Sequence, residues 1–415
     1  MRGVIWLVLL FLVAVVAATT LGSNDGLVTL YWRGWRTDLS LNLFVILLVG
    51  SCVALMSAAQ ALNSLVSLPR RASQWRALRK ERAAQAALRE ALAESLGARY
   101  GRARKAAQRA LAIQADSPEL QGDSEFRLLG QLLAAGSWHR LQDRVQRDQT
   151  LQLALHAARQ VGSPRSAEDA VRLLAAEWAL DDRDAPRALA LLAELPAGAA
   201  RRTQALRLKL QACRMARQPL EALHTARLLA NHQAFSPIVA QSLLRSLAAE
   251  TLDNAHDPQQ LRRLWTQFDA ADRRDPLVAA RAAGRAVQLG AHEDARAWLR
   301  PFWERLSELP RDDREHVALA LIDASPGIGS DWLARLESAA QAFGHEPAVV
   351  AAVGAGFAQV QLWGKARRLL EQAAAAPNLP GRTRRHAWRQ LAHLARQEGD
   401  ETRASLCERS AAQLD

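Results

Sequence analysis

The sequence is poor in cysteine and in aromatic residues. It contains three cysteines among 415 residues, and aromatic residues make up 5% of the chain although 49% of it is hydrophobic. Cys52, Cys213 and Cys407 lie far apart, and none of them belongs to a C-x-x-C pair. This spacing argues against a disulfide framework and a structural zinc site, and it favours reduced cysteines in a cytosolic domain.

Catalytic signatures are also missing from the sequence. It has no P-loop, no G-x-S-x-G, no H-E-x-x-H and no dinucleotide-binding fingerprint. The carboxylates stand among arginines at helical spacing, which is typical of solvated ion pairs on helix surfaces. We therefore expect a protein that is not an enzyme and that requires no cofactor or metal.

Two long apolar runs lie near the N-terminus. They predict membrane-spanning helices at about residues 4–21 and 43–68, the first of which has about the minimum length for a span. A cleaved signal peptide is the alternative for the first run. Asn42 is the predicted N-cap of the second helix, and Pro69 is its predicted end. Residues 1–69 are thus predicted to form a two-span membrane anchor.

The segment between the two runs, residues 25–42, alternates like two short strands around Arg33–Gly34. It predicts a β-hairpin with Trp32 opposite Trp35. Arginine suits the first position of a type I′ turn poorly, so the sequence leaves the turn type open. One face of this hairpin is largely apolar, and we expect it to rest on the outer membrane–water interface.

Basic residues are concentrated directly after the second run. Residues 70–109 carry twelve arginines and lysines against three glutamates. The positive-inside rule then places residues 25–42 in the periplasm and the rest of the chain in the cytoplasm. Residues 70–83 are predicted to be a basic juxtamembrane helix or linker, which sets the topology, binds anionic lipid headgroups, or does both. Its basic residues are Arg70, Arg71, Arg76, Arg79, Lys80 and Arg82.

Residues 84–415 show helical segments separated by short, often proline-containing breaks. This pattern predicts an all-α fold in which the anchor is followed by an α-solenoid of tetratricopeptide-like helix pairs. The clearest unit is Pro347 to Asn378, and degenerate units are expected around residues 124–160, 236–269 and 311–343. Within the clearest unit the motif positions are Val350, Val353, Gly354, Phe357, Ala366, Leu370 and Ala373.

Repeat solenoids bind partners through the surface formed by the first helix of each unit. Two predicted first helices present polar, mostly basic stripes there. An acidic peptide or another anionic ligand is the occupant that such stripes favour, and a solvated helix face is the alternative. The stripes are Gln204, Arg207, Gln211 and Arg214, and His386, Arg389, His393 and Arg396.

The two-span anchor, the hairpin segment, the basic helix and the repeats resemble, over nearly the full length of the chain, the HemY family of proteobacterial inner-membrane proteins, which combine an anchor with tetratricopeptide repeats. The first predicted repeat has the sequence ALREALAESLGARYGRARKAAQRAL, which is like the family's. In the hairpin the resemblance is carried by Asp25, Gly26, Val28, Leu30, Trp32, Trp35, Asp38 and Ser40.

The resemblance implies a role in late protohaem synthesis at the cytoplasmic face of the bacterial inner membrane. It implies a scaffold that recruits or regulates pathway enzymes such as ferrochelatase, with protein and lipid partners and no nucleic acid. It also suggests porphyrin or haem binding, with His386 or His393 as a single axial ligand. The two are two helical turns apart on one face, so they cannot clamp one iron together. A repeat adaptor in envelope quality control or lipopolysaccharide regulation is the rival hypothesis.

Overall fold

The computed structural model describes Val13, residues 26–159 and residues 165–414, with the backbone alone for residues 63–72 and 165. Apart from Val13, the predicted first span at residues 4–21 lies outside the described residues. Helices dominate the rest, and the strands among the described residues form one two-stranded sheet. The predicted all-α body with a small hairpin is thus confirmed, whereas the two-span layout stays a prediction.

Contacts divide the chain into two compact units, Met1–Gln160 and Val161–Asp415. The helix pairs expected after residue 83 occur in both units, so the repeat region does not form one unit by itself. The predicted division at residues 69 and 83 stays a prediction.

The sheet is the predicted hairpin. Strands β1 (Leu27–Trp32) and β2 (Trp35–Ser40) pair antiparallel in the expected register. Arg33 and Gly34 have φ values of 42° and 88°, so both lie in the left-handed region that a type I′ turn requires. The arginine is accommodated there despite its low preference for that position. The paired residues are Leu27 with Ser40, Val28 with Leu39, Thr29 with Asp38, Leu30 with Thr37, Tyr31 with Arg36, and Trp32 with Trp35.

The hairpin leads directly into α1 (Leu41–Leu96), a helix of 56 residues. The prediction of Asn42 as N-cap was wrong, because Ser40 takes that place and its Oγ accepts a hydrogen bond from the Leu43 amide at 3.4 Å. The segment Leu41–Leu62 is long and apolar enough to cross a membrane. Its mean hydropathy is 2.3, and none of its residues in the most apolar window is buried. It is the one candidate span among the described residues.

The prediction that Pro69 ends this helix was also wrong, since α1 continues through it. A proline inside a helix removes one backbone hydrogen bond and costs about 3 kcal/mol. The following residues are mostly Arg, Ala, Gln and Leu, which are strong helix formers. Further on, Ala84, Ala87 and Ala91 are buried against neighbouring helices. Residues 70–83 therefore lie in the middle of α1.

The first unit continues with three further helices. Alanines on α1 and α2 let these two helices approach closely. Phe126 and Ala134 of α3 pack against the same alanines. The degenerate repeat expected around residues 124–160 corresponds to the pair α3–α4. The three helices are α2 (Tyr100–Ala115), α3 (Ser124–Arg140) and α4 (Arg144–Ala158).

The second unit is helical throughout its described residues. Its longer helices form successive antiparallel pairs, and short helical turns connect some of them. The helices are α5 (Arg165–Asp181), α6 (Ala185–Ala193), α7 (Ala197–Ala200), α8 (Thr203–Met215), α9 (Pro219–Asn231), α10 (Pro237–Asp253), α11 (Pro258–Gln267), α12 (Ala270–Arg273), α13 (Pro276–Gln288), α14 (His292–Trp303), α15 (Arg311–Ala324), α16 (Leu333–Ala342), α17 (Pro347–Gln359), α18 (Trp363–Ala375), α19 (Gly381–Gln397) and α20 (Glu401–Ala412).

The pairs recur at a nearly constant interval. The first helices α8, α10, α13, α15, α17 and α19 begin 34 to 39 residues apart. Seven turns between paired helices of the described chain carry one left-handed residue, namely Ala98, Gln142, Arg183, Arg217, Gly290, Gln361 and Gly399. In each turn the next residue donates a backbone hydrogen bond five positions back, as in a Schellman motif. The recurring helix pairs agree with the predicted solenoid, whereas the tetratricopeptide assignment stays a prediction.

The clearest predicted repeat is the pair α17–α18. All seven of its motif positions are buried, as small and bulky residues at the seam of two helices should be. Gly354 allows the closest approach, because a Cβ atom there would lie 3.1 Å from Cγ of Leu370.

Candidate partner-binding groove

A groove crosses the first helices of the second unit. Helix α13 contacts both α10 and α15, so the three lie side by side. Together with Arg382 at the start of α19, they line an open cavity of about 480 Å³. This groove forms on the repeat face that we expected to bind a partner.

The floor of the groove is built from small and apolar side chains, among them Ala249, Ala280, Gly284 and Ala320. A Cβ atom on Gly284 would meet no other atom within 4 Å, so this part of the groove is open. The cavity over α10, α13 and α15 thus has room beside the Gly284 backbone for an apolar group of a partner.

Four arginines and two aspartates line the groove, which makes it basic. Arg281 donates two hydrogen bonds to the Asp253 carboxylate at 3.1 and 2.6 Å, and Arg382 donates one to Asp323 at 3.1 Å. Arg285 instead donates to the carbonyl oxygen of Ala255 at 3.1 and 2.6 Å. Arg245 donates to the Asp275 carboxylate at 2.8 Å, so Arg285 is the one lining arginine without a carboxylate partner among the described residues. This single excess positive charge favours an anionic occupant.

The predicted stripe on α8 is exposed as expected. Its four residues share one face, and no ion pair joins Arg207 or Arg214 to a carboxylate among the described residues. None of the four lines the groove over α10, α13 and α15. The stripe is therefore a separate basic surface of the second unit.

The predicted stripe on α19 is only partly exposed. Arg389, His393 and Arg396 are exposed, whereas His386 is half-buried. Arg396 forms an ion pair with Glu408 of α20, which reduces the free positive charge of the stripe. Whether either stripe binds a partner stays a prediction.

His386 is the more unusual of the two predicted haem-ligand candidates. Its Nε2 atom is buried and has no hydrogen-bond partner among the described residues. Burial lowers the pKa of His386, and the positive charges of Arg382 and Arg389 lower it further against the opposing effect of Asp323. The imidazole is therefore neutral near pH 7. The described residues include no group of three His, Cys, Asp or Glu side chains placed to hold a metal ion.

The basic residues after the candidate span lie on α1. Arg76, Arg79, Lys80 and Arg82 are exposed, and only the backbone is described at positions 70 and 71. Nζ of Lys80 donates to the Asp116 carboxylate at 2.8 Å, which lowers the pKa of that carboxyl. Arg79 lies 5.3 Å from the centre of the Trp75 ring. One of the four charges thus links α1 to the end of α2.

Residues 26–122 match the family model described as the HemY protein N-terminus. Over this region the chain is similar to the HemY family. The match includes the hairpin, the candidate span and helices α1 and α2. The HemY region thus contains the membrane-proximal part of the molecule and ends before the groove. No curated protein matches the chain.

Sequence reasoning missed most of the groove that follows the HemY region. Arg281, Arg285, His316 and Arg382 were not singled out, although they line it. The period of the helix pairs is the signal that points to these residues. An arginine and an aspartate about 30 residues apart lie in neighbouring helix pairs at similar positions, as Arg281 and Asp253 do at an interval of 28 residues.

Proposed function

We propose that the chain is a membrane-anchored helical-repeat adaptor that acts in haem biosynthesis. The observation that carries this proposal is the HemY match over residues 26–122, which includes a candidate span continuous with the first helix pair. A helix of this kind holds the helical body close to the bilayer. Porphyrins are apolar and poorly soluble, so an adaptor at the membrane would gather the enzymes that handle them.

The proposed topology is that of a bacterial inner-membrane protein with the hairpin in the periplasm and the helix pairs in the cytoplasm. The exposed basic residues after the candidate span support this orientation. The proposed partners are enzymes of late protohaem synthesis, such as ferrochelatase. Their docking site is the basic groove over α10, α13 and α15, which an acidic segment with an apolar side chain would fit.

The test is a deletion strain whose porphyrins are separated and quantified. We expect porphyrin intermediates to accumulate and the full-length gene to restore the normal profile. A normal profile in the deletion strain would overturn the proposal and would favour a repeat adaptor in another envelope process.

Direct haem binding is a separate element of the proposal. It has one supporting observation, the buried and unpartnered Nε2 of His386. Titration of the full-length protein in detergent with haem would give a Soret shift that His386→Ala reduces and His393→Ala leaves unchanged. A flat titration would remove haem binding and leave the adaptor role intact.

A further inference from the structure

One face of α1 carries a repeating stripe of exposed residues beyond the candidate span. Its positions alternate at intervals of three and four residues, which is the spacing of a helix–helix seam in coiled coils. We call this stripe the outer seam. It consists of Trp75, Leu78, Arg82, Gln85, Arg89, Leu92 and Leu96.

The large apolar residues of the outer seam are at least half exposed among the residues that the structure describes. Trp75, Leu78, Leu92 and Leu96 are 62%, 51%, 50% and 81% exposed. The opposite face of α1 is the one that packs against α2 and α3, with its alanines buried. Helix α1 thus has one face buried in its own unit and a second apolar seam that faces away from it.

The height of the seam favours a protein rather than lipid as its occupant. Trp75 and Leu96 follow Leu68, the end of the apolar run, by seven and 28 residues, which are rises of about 10 and 42 Å along the helix. The headgroup layer on one side of a bilayer is only about 5–8 Å thick. A helix crossing the membrane near its normal therefore lifts most of the outer seam above the lipid.

The charges of the seam indicate which kind of protein fits. Arg82 and Arg89 are exposed, and neither has a carboxylate within ion-pair distance among the described residues. A parallel second copy of α1 would place arginine opposite arginine at both positions, which is unfavourable. A helix with Asp or Glu at those positions would form ion pairs there instead.

The same spacing extends back into the candidate span. Gly50, Ala54, Ser57 and Ala61 continue it and are all exposed. Small residues let a second helix approach closely within a bilayer. The small residues and the outer seam therefore share one spacing on either side of residues 63–72, and one partner helix could contact both.

We propose that the outer seam docks an acidic helix that a membrane-protein partner extends from the bilayer on the same side as the repeats. This proposal rests on the membrane anchorage in the proposed function, and it adds a second partner site that is distinct from the groove. The partner helix carries apolar residues against Leu78, Leu92 and Leu96, and Asp or Glu against Arg82 and Arg89.

The test is site-specific photocrosslinking of the full-length protein in its native membranes. A benzophenone amino acid replaces Gln85 in the middle of the seam, and the crosslinked peptide is sequenced. We expect a peptide from a helix of a membrane protein, with acidic residues at coiled-coil spacing. Lipid or a second copy of this chain as the main product would overturn the proposal.

Paired variants supply the control. Leu78→Glu with Leu92→Glu should lower the crosslink yield about tenfold, because two apolar contacts of the seam become repulsive toward an acidic helix. Leu129→Glu with Leu153→Glu changes two leucines of α3 and α4 that are 52% and 58% exposed, and it should leave the yield unchanged. Equal yields from both pairs would contradict the proposal, and alkaline extraction verifies that each variant stays membrane-bound.

Exchanging the charges across the interface tests whether the ion pairs of the outer seam are specific. Arg82→Glu with Arg89→Glu should abolish the crosslink, and replacing the facing acidic residues of the partner by arginine should restore it. Failure of this rescue would overturn the seam even where porphyrins accumulate in the deletion strain. Conversely, a normal porphyrin profile with an intact crosslink would overturn the proposed function and leave the seam in place.

Discussion

The guanidinium of Arg314, in the first turn of α15, pairs with the carboxylate of Glu346, the residue immediately before α17. Nε lies 3.1 Å from both carboxylate oxygens, and a terminal nitrogen lies 2.5 Å from one of them. The two side chains are only 16% and 8% exposed. This ion pair joins the starts of two successive first helices.

Contacts of the same kind recur along the second unit. Partners lie 28 to 32 residues apart in the chain, which is about the length of one helix pair. The helix pairs are thus joined by polar contacts as well as by the apolar seams. They include Arg281 with Asp253, Arg245 with Asp275, Arg335 with Glu304, Lys365 with Glu337, and Arg403 with Glu371.

Removing Glu346 should destabilise the second unit. The Glu346→Ala variant leaves the guanidinium of Arg314 largely buried without its carboxylate, which costs about 3 kcal/mol. The measurement is the urea midpoint of the full-length protein in detergent. Glu337→Ala is the matched control, because its pair with Lys365 is 41% and 57% exposed and should contribute less than about 1 kcal/mol. Equal losses from the two variants would contradict this ranking.

Gly354→Val should destabilise the pair α17–α18 by about 1–3 kcal/mol. The added Cβ would lie 3.1 Å from Leu370 and 3.3 Å from Cβ of Leu369, so the helices must move apart. Gly284→Val makes the same change at a helical position where a Cβ meets no other atom within 4 Å. Thermal unfolding should therefore separate the two variants, and a Gly354→Val protein as stable as the Gly284→Val protein would argue against the close approach.

Stability should decrease as the pH falls below about 6.5, in part through His386. Burial lowers the pKa of His386 in the folded protein, so the unfolded chain takes up the proton first as the pH falls. Acid therefore favours the unfolded state between the unfolded and the folded pKa. His386→Asn should flatten this part of the stability–pH curve, and an unchanged slope would show that the imidazole titrates as freely as in the unfolded chain.

Blocking the groove should weaken partner binding without harming the fold. Gly284→Leu places a side chain into the open part of the groove, and we expect at least about tenfold weaker capture of the groove partner. Gly364→Leu adds the same side chain to α18, away from the groove, where a Cβ also meets nothing within 4 Å. Capture from membranes that is weakened equally by both variants would remove the groove as the docking site.

Labelling of single introduced cysteines tests the topology. Thr37 in β2 and Gln211 in α8 are both exposed, so Thr37→Cys and Gln211→Cys should each react once a reagent reaches them. A membrane-impermeant maleimide should label intact spheroplasts at position 37 and should label position 211 only after lysis. The reverse order would invert the proposed orientation.

The hairpin between β1 and β2 shows where the sequence alone was sufficient to predict the structure. Strict alternation of residue type allows one register that puts Val28, Leu30 and Trp32 on the same face, and that register is observed. The end of α1 shows where it was not. Pro69 is a local signal for a helix end, but the packing of Ala84 and Ala87 against the rest of the first unit extends the helix past it.

The periodic apolar and small residues by themselves determined that an apolar span is followed along the chain by successive helix pairs. Each pair must bury the apolar face of its two helices. Five of the seven recurring turns lack glycine at the left-handed residue, so the positions of the turns followed from packing rather than from local preference. The groove was decided only by the tertiary structure. Arg281, His316 and Arg382 come from three different helices, and their meeting depends on how those helices stack.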